Sequence, residues 1–332
     1  MKALLSIEPG PPSTLVLSDV PEPVLRDGTL LVRVEACGLN FPDLLMIEDK
    51  YQAKPPRPFS PGEEVAGTIE AIGSGVEGWN IGDRIVAVLG YGGLAERIVV
   101  DSTRVYRLPP GCSPEMGAAL LVTYASAFHA LTDRGRLREG DKLLVLGAGG
   151  GVGLAGVELG KILGATVIAA VSSPRKAEAA LAAGADKTVI YPRGPVDRDG
   201  RKELAVLFKD AVGNDGADVV FDPVGGDYAD AALRAIAWGG RYLVIGFPAG
   251  IPQIPLNLPL LKSCDICGVF WGAFALRDPE RSRQEVNQLL EWLAAGRITP
   301  HIAKIWNLEN AGDALASLAA REIIGKAVVT LR

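Results

Sequence analysis

Hydrophobic and polar positions alternate along the first third of the chain in the manner of half-buried β-strands. Apolar runs with a period of two are broken by Pro, Gly and Asp-Gly turns about every 8–12 residues. The predicted strands are Lys2–Ile7, Leu15–Leu17, Leu30–Ala36, Val65–Ile72, Arg84–Leu89, Leu94–Val100 and Arg104–Leu108, with a short helix at Phe41–Glu48. This pattern predicts an all-β region, either a barrel or a twisted sandwich.

Beyond Asp141 the pattern changes to alternating strands and helices, which predicts a parallel, doubly wound sheet. The predicted strands are Leu143–Leu146, Thr166–Val171, Lys187–Ile190, Ala217–Asp222, Arg241–Gly246 and Cys264–Phe270. The predicted helices include Arg175–Ala183, Lys202–Val212, Tyr228–Ala237 and the amphipathic Pro279–Ala295. The last elements, Ile302–Trp306, Leu308–Ala320 and Lys326–Leu331, are more like the first region, so we expect the β domain to take back the C-terminus.

The segment Leu143–Lys176 has the order strand, glycine-rich turn, helix, strand. In the spacing Gly-x-Gly-x-x-Gly the turn carries Ala148, Gly150 and Gly153, with Gly151 and Val152 between the last two. Gly150 would allow close approach of a phosphate, and Gly153 close packing of helix against strand. A helix that begins here directs its free N–H groups and positive end at a bound anion. The segment therefore predicts a pyrophosphate site, and the alternative is a glycine-rich turn without a ligand.

The end of the second strand of this segment bears on the choice of cofactor. An NAD site usually places Asp or Glu there to bind the ribose hydroxyls. This chain has Ser172, Ser173, Pro174, Arg175 and Lys176 instead. Hydroxyls and cations suit a 2′-phosphate, so the residues favour NADP. The alternative for the two cations is an ordinary solvated helix start.

Composition narrows the class of protein. The chain has 332 residues, 48% hydrophobic and 22% charged, enough for two globular domains with a large core. The net charge of −5 argues against a nucleic-acid or anionic-membrane surface. We see no signal peptide and no run of about 18 apolar residues, so no membrane span is expected. The four scattered cysteines do not form a disulfide framework and suggest a reducing, cytoplasmic location.

Several motifs together resemble one family over essentially the whole chain. They are CGLNFPDLLMIEDKY (Cys37–Tyr51), PGEEVAG (Pro61–Gly67), GAGGGVG (Gly147–Gly153), VSSPRKAEAALAAGAD (Val171–Asp186), FDPVGG (Phe221–Gly226), VIGFPAG (Val244–Gly250) and GVFWG (Gly268–Gly272). The chain resembles the zinc-free quinone oxidoreductase branch of the medium-chain dehydrogenases/reductases. The resemblance implies an α/β protein with a discontinuous GroES-like β-barrel catalytic domain (1–122 and 270–332) and a Rossmann NADP-binding domain (123–269). It places the active site in the cleft between the domains.

The resemblance also implies roles for individual residues. Positions that match the family's contacts to the adenosine 2′-phosphate are Ser172, Ser173, Lys176 and Tyr191. Positions that match its nicotinamide-side contacts are Asn40, Thr123, Phe247, Phe270 and Trp271. For each aromatic residue the alternative is packing in a hydrophobic core.

Zinc ligands are expected to be missing. Where the zinc alcohol dehydrogenase relatives carry a ligating cysteine, this chain has Asn40, and their Gly-His-Glu is Gly62-Glu63-Glu64 here. The third ligand position falls near Val122, which cannot bind a metal. Catalytic zinc needs three protein ligands, so we expect none. Cys264-x-x-Cys267 lies in an apolar strand that would aim the two thiols at opposite faces, which argues against a redox pair.

These features lead to three hypotheses. The first is an NADPH-dependent quinone reductase, of one- or two-electron type, in which Asn40 and Thr123 orient the acceptor. The second is an NADPH-dependent reductase of enones, alkenals or enoyl thioesters, in which Tyr51 protonates the product; the alternative for Tyr51 is a loop anchor. The third is a non-enzymatic NADPH-binding stabiliser or sensor. The resemblance further implies a homodimer through the edge of the nucleotide-domain sheet, at the apolar run Ile266–Trp271.

Overall fold

The computed structural model describes residues 1–194 and 196–331 and divides into two compact units. Unit 1 comprises Met1–Val122 and Asn287–Arg332, and unit 2 comprises Thr123–Val286. From the sequence, the return of the chain to the first domain is expected at residue 270. In the structure the segment from 270 to 286 packs within unit 2, where Phe274 stacks on His129 at 4.2 Å and Arg281 pairs with Asp133 at 2.8 Å.

The strands in chain order are β1 Lys2–Leu5, β2 Val16–Asp19, β3 Thr29–Leu39, β4 Glu64–Ile72, β5 Arg84–Val88, β6 Arg97–Asp101, β7 Val105–Arg107, β8 Lys142–Val145, β9 Thr166–Val171, β10 Lys187–Ile190, β11 Ala217–Asp222, β12 Ile236–Val244, β13 Asp265–Gly268, β14 Ile302–Asn307 and β15 Lys326–Thr330. The α-helices are α1 Phe41–Ile47, α2 Pro114–Ala118, α3 Ser126–His129, α4 Gly151–Ile162, α5 Pro174–Ala182, α6 Arg198–Val212, α7 Tyr228–Arg234, α8 Asn257–Lys262, α9 Trp271–Arg277, α10 Pro279–Ala294 and α11 Ala311–Ala319. Wider helical turns at Leu121–Ala125 and Ala130–Arg134 flank α3.

Unit 1 is built on a seven-stranded sheet in the order β14-β15-β3-β4-β5-β7, with β6 also paired to β3. Its pairs are antiparallel except β14 and β15, which are parallel. The C-terminal strand β15 lies beside β3, with Val329 opposite Cys37. Residues about 290 positions apart in sequence therefore share one core, which fixes the end of β3 and the start of α1.

Unit 2 contains a six-stranded parallel sheet in the order β10-β9-β8-β11-β12-β13. The doubly wound sheet predicted from the alternating pattern is confirmed. Strand β8 is buried on both faces, as a central parallel strand should be. The strand order reverses between β8 and β11, and ligands of such sheets bind at the carboxyl ends of the strands at this reversal.

Two element predictions are wrong in detail, and a further helix was missed. Helix α7 ends at Arg234, and β12 begins at Ile236, because Ile236 pairs with Ala217 and the strand then bulges near Gly239. The strand expected through Phe270 ends at Gly268, and Trp271 starts α9. Helix α8 was not predicted, since Leu260 and Leu261 are exposed and the segment lacks an amphipathic signature.

Among the described residues, no helix combines the length and the apolar character needed to cross a membrane.

Candidate active site

The glycine-rich turn of unit 2 is shaped around the carbonyl oxygen of Gly147. A Cβ on Gly153 would come within 2.2 Å of that oxygen, so only glycine fits there. A Cβ on Gly150 would meet nothing nearer than 3.6 Å, which leaves open space beside this residue. Gly150 is extended (φ −90°, ψ 169°) and directly precedes α4. The turn thus combines an accessible backbone with the positive end of a 12-residue helix, and it fits a pyrophosphate.

The loop after β11 packs against this turn and is held by a buried carboxylate. Asp222 accepts hydrogen bonds from the backbone N–H groups of Val224 (2.8 Å) and Gly225 (2.9 Å). The hydroxyl of Tyr242 donates a third, short hydrogen bond to it. A Cβ on Gly147 would lie 2.6 Å from Val224, which shows how closely the two loops approach. Sequence reasoning used FDPVGG only as a family motif; the signal for Asp222 was an acid at a strand end followed by turn residues.

A hydroxyl and an ammonium lie close together at the carboxyl end of β9. Lys176 Nζ lies 3.5 Å from Ser172 Oγ, and the Lys176 side chain extends over Gly149. Ser173 Oγ accepts from the backbone N–H of Lys176 and so caps α5. The structure therefore brings together three of the four residues proposed for the 2′-phosphate, Ser172, Ser173 and Lys176. No carboxylate occurs between Val171 and Ala177 in the sequence.

The remaining candidates in unit 2 differ in accessibility. Tyr191 is 6% exposed, and its ring packs on Tyr228 at 4.8 Å. Trp271 is also 6% exposed, and its Nε1 finds no hydrogen-bond partner in the described part of the chain. Phe247 and Phe270 are 42% and 62% exposed, respectively. The rings of Tyr191 and Trp271 thus belong to the interior of unit 2, whereas those of the two phenylalanines are open to a ligand.

Thr123 opens unit 2 within the wider helical turn Leu121–Ala125 and is 2% exposed. The backbone N–H of the preceding residue, Val122, donates to Glu64 Oε2 at 2.9 Å. Glu64 therefore fixes the end of the first segment of unit 1.

Asn40 in unit 1 lies in a buried polar network. Lys326 Nζ lies 2.6 Å from Asn40 Oδ1 and 2.7 Å from Glu64 Oε1. Asn40 Nδ2 in turn donates to Glu64 Oε1 at 3.0 Å. All three residues are buried. The ion pair and the amide hold one another in fixed positions, because each hydrogen-bond donor faces an acceptor.

Asp43, in the first turn of α1, joins this network through backbone groups. Its carboxylate accepts from the N–H of Asn40 and the N–H of Gly62, both at 2.8 Å. Burial raises the pKa of Asp43 to about 6, although the two N–H donors oppose the shift. Asp43 thereby ties the start of α1 to the Pro61–Gly67 segment.

Glu63 and Tyr51 are two further ionisable side chains of unit 1, and the pKa of each is raised. Burial, reinforced by the charges of Asp43 and Glu64, raises the pKa of Glu63 well above its usual value. Its Oε2 is buried and has no hydrogen-bond partner within residues 1–194 and 196–331. Burial, together with the charge on Glu63, raises the pKa of Tyr51 to about 12. The phenol of Tyr51 therefore keeps its proton near neutral pH.

The loop that carries Tyr51 is anchored by Arg57. Its guanidinium donates to Asp49 (2.7 Å) and to the carbonyl of Ile47 (2.9 Å) at the end of α1. It also lies over the ring of Phe59, 5.4 Å from the centroid. These contacts join both ends of the loop to α1, so Tyr51 is presented from a defined segment.

The positions of the relatives' zinc ligands hold Asn40, Glu63 and Val122. Within the residues that the structure describes, no group of three or more His, Cys, Asp or Glu side chains has an arrangement that would hold a metal ion. A cation is nevertheless present beside Asn40 and Glu64, namely the ammonium of Lys326. Nearby Cys37 is fully buried, and burial raises the pKa of its thiol well above its usual value.

Comparison with known proteins shows the family to which the chain belongs. The model described as "Alcohol dehydrogenase GroES-like domain" matches residues 26–110, and the one described as "Zinc-binding dehydrogenase" matches residues 151–295. The "Quinone oxidoreductase-like protein 2 homolog" of Nematostella vectensis is 37% identical over 311 residues, covering 92% of this chain and 83% of the relative. The chain belongs to the quinone oxidoreductase branch of the medium-chain dehydrogenases/reductases.

Solved structures agree with this membership of the quinone oxidoreductase branch. A quinone oxidoreductase from Pseudomonas syringae pv. tomato is 28% identical with a TM-score of 0.88 and covers 99% of both chains. A mycobacterial protein, solved as a complex with NADPH, is 29% identical with a TM-score of 0.91 over 100% of both chains. The expected fold class, a GroES-like domain with a Rossmann-like parallel sheet, is confirmed.

Proposed function

We propose that the chain is an NADPH-dependent oxidoreductase that transfers hydride to quinones without zinc. The observation that carries the proposal is the buried ammonium of Lys326, 2.6 Å from Asn40 Oδ1, where the zinc relatives place a ligating cysteine. Asparagine does not replace a thiolate as a zinc ligand, and its side-chain oxygen is already engaged by the Lys326 ammonium.

The cofactor preference is proposed from unit 2. The open backbone at Gly150 and the N-terminus of α4 would hold the pyrophosphate. Ser172 and Lys176 would hold the 2′-phosphate through charge-assisted hydrogen bonds. When bound, NADPH supplies the hydride. Relatives solved with NADPH support this assignment.

Quinones are proposed as acceptors because their conjugated carbonyls accept hydride without a Lewis acid. The protein then needs mainly to align the acceptor and to stabilise the developing negative oxygen. Asn40 and Thr123 are the proposed orienting residues. The amide of Asn40 is held by Glu64, Lys326 and the carbonyl of Gly38 (3.4 Å), so it is proposed to act through the fixed direction of its dipole.

Reduction of enones or enoyl thioesters is a second candidate activity, in which Tyr51, held on the loop anchored by Arg57, would be the proton donor. Its phenol is protonated at neutral pH and can donate to an enolate, although burial raises its pKa to about 12 and makes it a weaker acid than a free phenol. Quinols can take protons from solvent, so a quinone reductase does not need this donor.

Tyr51→Phe separates the two activities. On enoyl thioesters we expect kcat to fall by about 10²-fold or more, the usual contribution of a positioned acid, with little change on 1,4-benzoquinone. Tyr91→Phe is a matched control, because Tyr91 lies against Phe59 in an exposed position of the same unit. An equal fall in kcat on both substrates would show that Tyr51 is not a proton donor specific to enoyl reduction.

The zinc-independent part of the proposal is tested by metal analysis and chelation. NADPH oxidation with 9,10-phenanthrenequinone should survive dialysis against EDTA, and the purified protein should contain far less than one zinc per chain. Stoichiometric zinc whose removal abolishes turnover would contradict it. Tight NADPH binding without turnover of quinones or enones would support the non-enzymatic hypothesis instead.

A homodimer is proposed through strand β13. This strand lies at the edge of the unit 2 sheet, and Ile266 on it is 40% exposed. Large exposed side chains nearby in sequence and sheet order are Trp238, Leu256, Leu260 and Leu261. An edge strand has backbone N–H and C=O groups that can pair with another strand. The same strand of a second copy of the chain would supply that partner and cover the apolar side chains.

A further inference from the structure

We infer that the buried pair Glu64–Lys326 is the positioning device of the active site, and that the rate of hydride transfer depends on it. The inference rests on the proposed function. It goes further by assigning a role to two residues that are given no function from the sequence. It concerns how Asn40 and the chain leading to Thr123 are held.

Glu64 connects three segments through its two carboxylate oxygens. Oε1 accepts from Lys326 Nζ at 2.7 Å and from Asn40 Nδ2 at 3.0 Å. Oε2 accepts from the backbone N–H of Val122 at 2.9 Å. One side chain on β4 therefore fixes both the residue before α1 and the residue before Thr123. Of the residues held in this way, Asn40 is one that is proposed to orient the acceptor.

Lys326 has no donor left for a substrate. Its ammonium donates to Asn40 Oδ1 (2.6 Å), to Glu64 Oε1 (2.7 Å) and to the carbonyl oxygen of Leu39 (2.9 Å). An ammonium has three N–H groups, and three acceptors are present. Lys326 is therefore a positioning residue, and it acts through Asn40.

The direction of the Asn40 amide follows from this charge pair. A carboxylate only accepts and an ammonium only donates, so Asn40 must turn Nδ2 toward Glu64 and Oδ1 toward Lys326. The opposite rotamer would place donor against donor and acceptor against acceptor. Removing both charges would let the amide turn over, and neither member of the pair is left as an unpaired charge in the core.

The test is the charge-neutral double variant Glu64→Gln/Lys326→Met. Either single variant leaves one buried charge unpaired and is expected to fold poorly, whereas the double variant keeps similar volumes. The inference predicts a kcat with 9,10-phenanthrenequinone lowered by about 10–100-fold, since small misplacements of reacting groups cost about that much. We expect the Kd for NADPH and the KM for the quinone to change by less than about 3-fold.

Two further readouts separate positioning from loss of structure. With NADPH carrying deuterium at the transferred position, the isotope effect on kcat should increase in the double variant, because hydride transfer becomes slower than the other steps. The side-chain amide protons of Asn40 are expected to be protected from solvent exchange in the wild-type protein and to exchange faster in the double variant. The control Glu70→Gln/Arg97→Met removes another ion pair of the unit 1 sheet (2.7 Å) and should leave kcat unchanged.

The outcomes are distinguishable. A folded double variant with wild-type kcat, an unchanged isotope effect and protected Asn40 protons would overturn the inference while the proposed function stands. A wild-type protein that oxidises no NADPH with any quinone would overturn the proposed function, and the inference with it.

Discussion

Ser172 and Lys176 occupy the strand end at which a single charge can reverse cofactor preference. Replacing Ser172 by Asp would place a carboxylate near Lys176 Nζ, which now lies 3.5 Å from the serine hydroxyl. The new charge would repel the 2′-phosphate and engage the lysine. We expect kcat/KM for NADPH to fall by about 10–100-fold, the size of one or two charge-assisted hydrogen bonds, with NADH unchanged or improved. The measurement is steady-state kinetics with both cofactors.

Ser172→Ala is the control for this substitution, because it removes the hydroxyl without adding charge. It should lower kcat/KM for NADPH by less than about 10-fold. If Ser172→Asp left the ratio of NADPH to NADH efficiency unchanged, the 2′-phosphate would have to bind elsewhere.

Glu285 makes stability depend on pH. Burial raises its pKa from 4.5 to about 7, although Arg281 opposes the shift, and its Oε2 has no partner among the described residues. The folded chain holds this proton more tightly than the unfolded chain. The associated stability is therefore full below about pH 4.5, declines as pH rises toward 7, and is absent above it.

Glu285→Gln should consequently raise the melting temperature at pH 8 and leave it nearly unchanged at pH 5, because glutamine resembles the protonated acid. Thermal melts of both proteins at the two pH values measure the difference. A shift of the same size at both pH values would show that the charge of Glu285 has no part in it. Glu291→Gln, at an exposed position of the same helix α10, serves as a control.

Single residues also show where sequence reasoning stops. The serines and the lysine after β9 are neighbours in sequence, so their convergence was predictable. Asn40 was identified, but its partner Lys326 is 286 positions away, and only the pairing of β15 with β3 brings them together. Burial of Tyr191 and Trp271 was likewise not predictable, since spacing does not tell a pocket wall from a core.

At the scale of elements, the turn between β8 and α4 offers a matched pair of glycines. A Cβ on Gly153 would lie 2.2 Å from the carbonyl oxygen of Gly147, whereas on Gly150 the nearest atom would be 3.6 Å away. Gly153→Ala should therefore destabilise unit 2 by about 1–3 kcal/mol, as overpacking does. Gly150→Ala should fold with nearly the wild-type melting temperature but bind NADPH about 10-fold or more weakly, because its methyl group occupies the open space proposed for the pyrophosphate.

Thermal melts and cofactor titration of both variants are the measurements. Ala155→Gly is the control for a backbone change within helix α4 itself. Gly140→Ala would not serve as a control, because Gly140 has φ +84°, where any side chain is strained. Unimpaired NADPH binding by Gly150→Ala would contradict the proposed pyrophosphate position.

Elements were predictable where the periodicity was strong. Strands β8 and β9 and helix α5 agree with the predicted segments within about two residues, because buried parallel strands are uniformly apolar and Gly and Pro mark their ends. The errors at β12, α8 and α9 fall where apolar side chains stay exposed. There the hydrophobic pattern no longer reports which face of an element is buried.

At the scale of the whole molecule, the proposed dimer can be tested at the edge strand. Ile266→Lys places a charge on β13, and it should shift the species in solution from twice the mass of the chain to a single chain. Ile81→Lys, at a position 70% exposed in unit 1, is the control and should leave the mass unchanged. Light scattering coupled to gel filtration measures both, and a wild-type protein that elutes as a single chain would reject the proposed dimer.

The fold class was predictable as a whole because the change from alternating to helix-and-strand periodicity marks the two architectures. The return of the C-terminus to the first architecture was anticipated from its pattern. Its partner strand, β3, was not, since strand order depends on contacts between distant segments. Function depends on the same long-range contacts, because the Lys326 ammonium reaches Asn40 only through this strand pairing.

The most direct test of the proposed function is oxidation of NADPH by 9,10-phenanthrenequinone with chelator-treated wild-type protein, run beside NADH. We predict turnover with NADPH, at a kcat/KM at least about 10-fold above that with NADH, and with no requirement for added zinc. Turnover only after zinc is restored, a preference for NADH, or no turnover despite NADPH binding would contradict it.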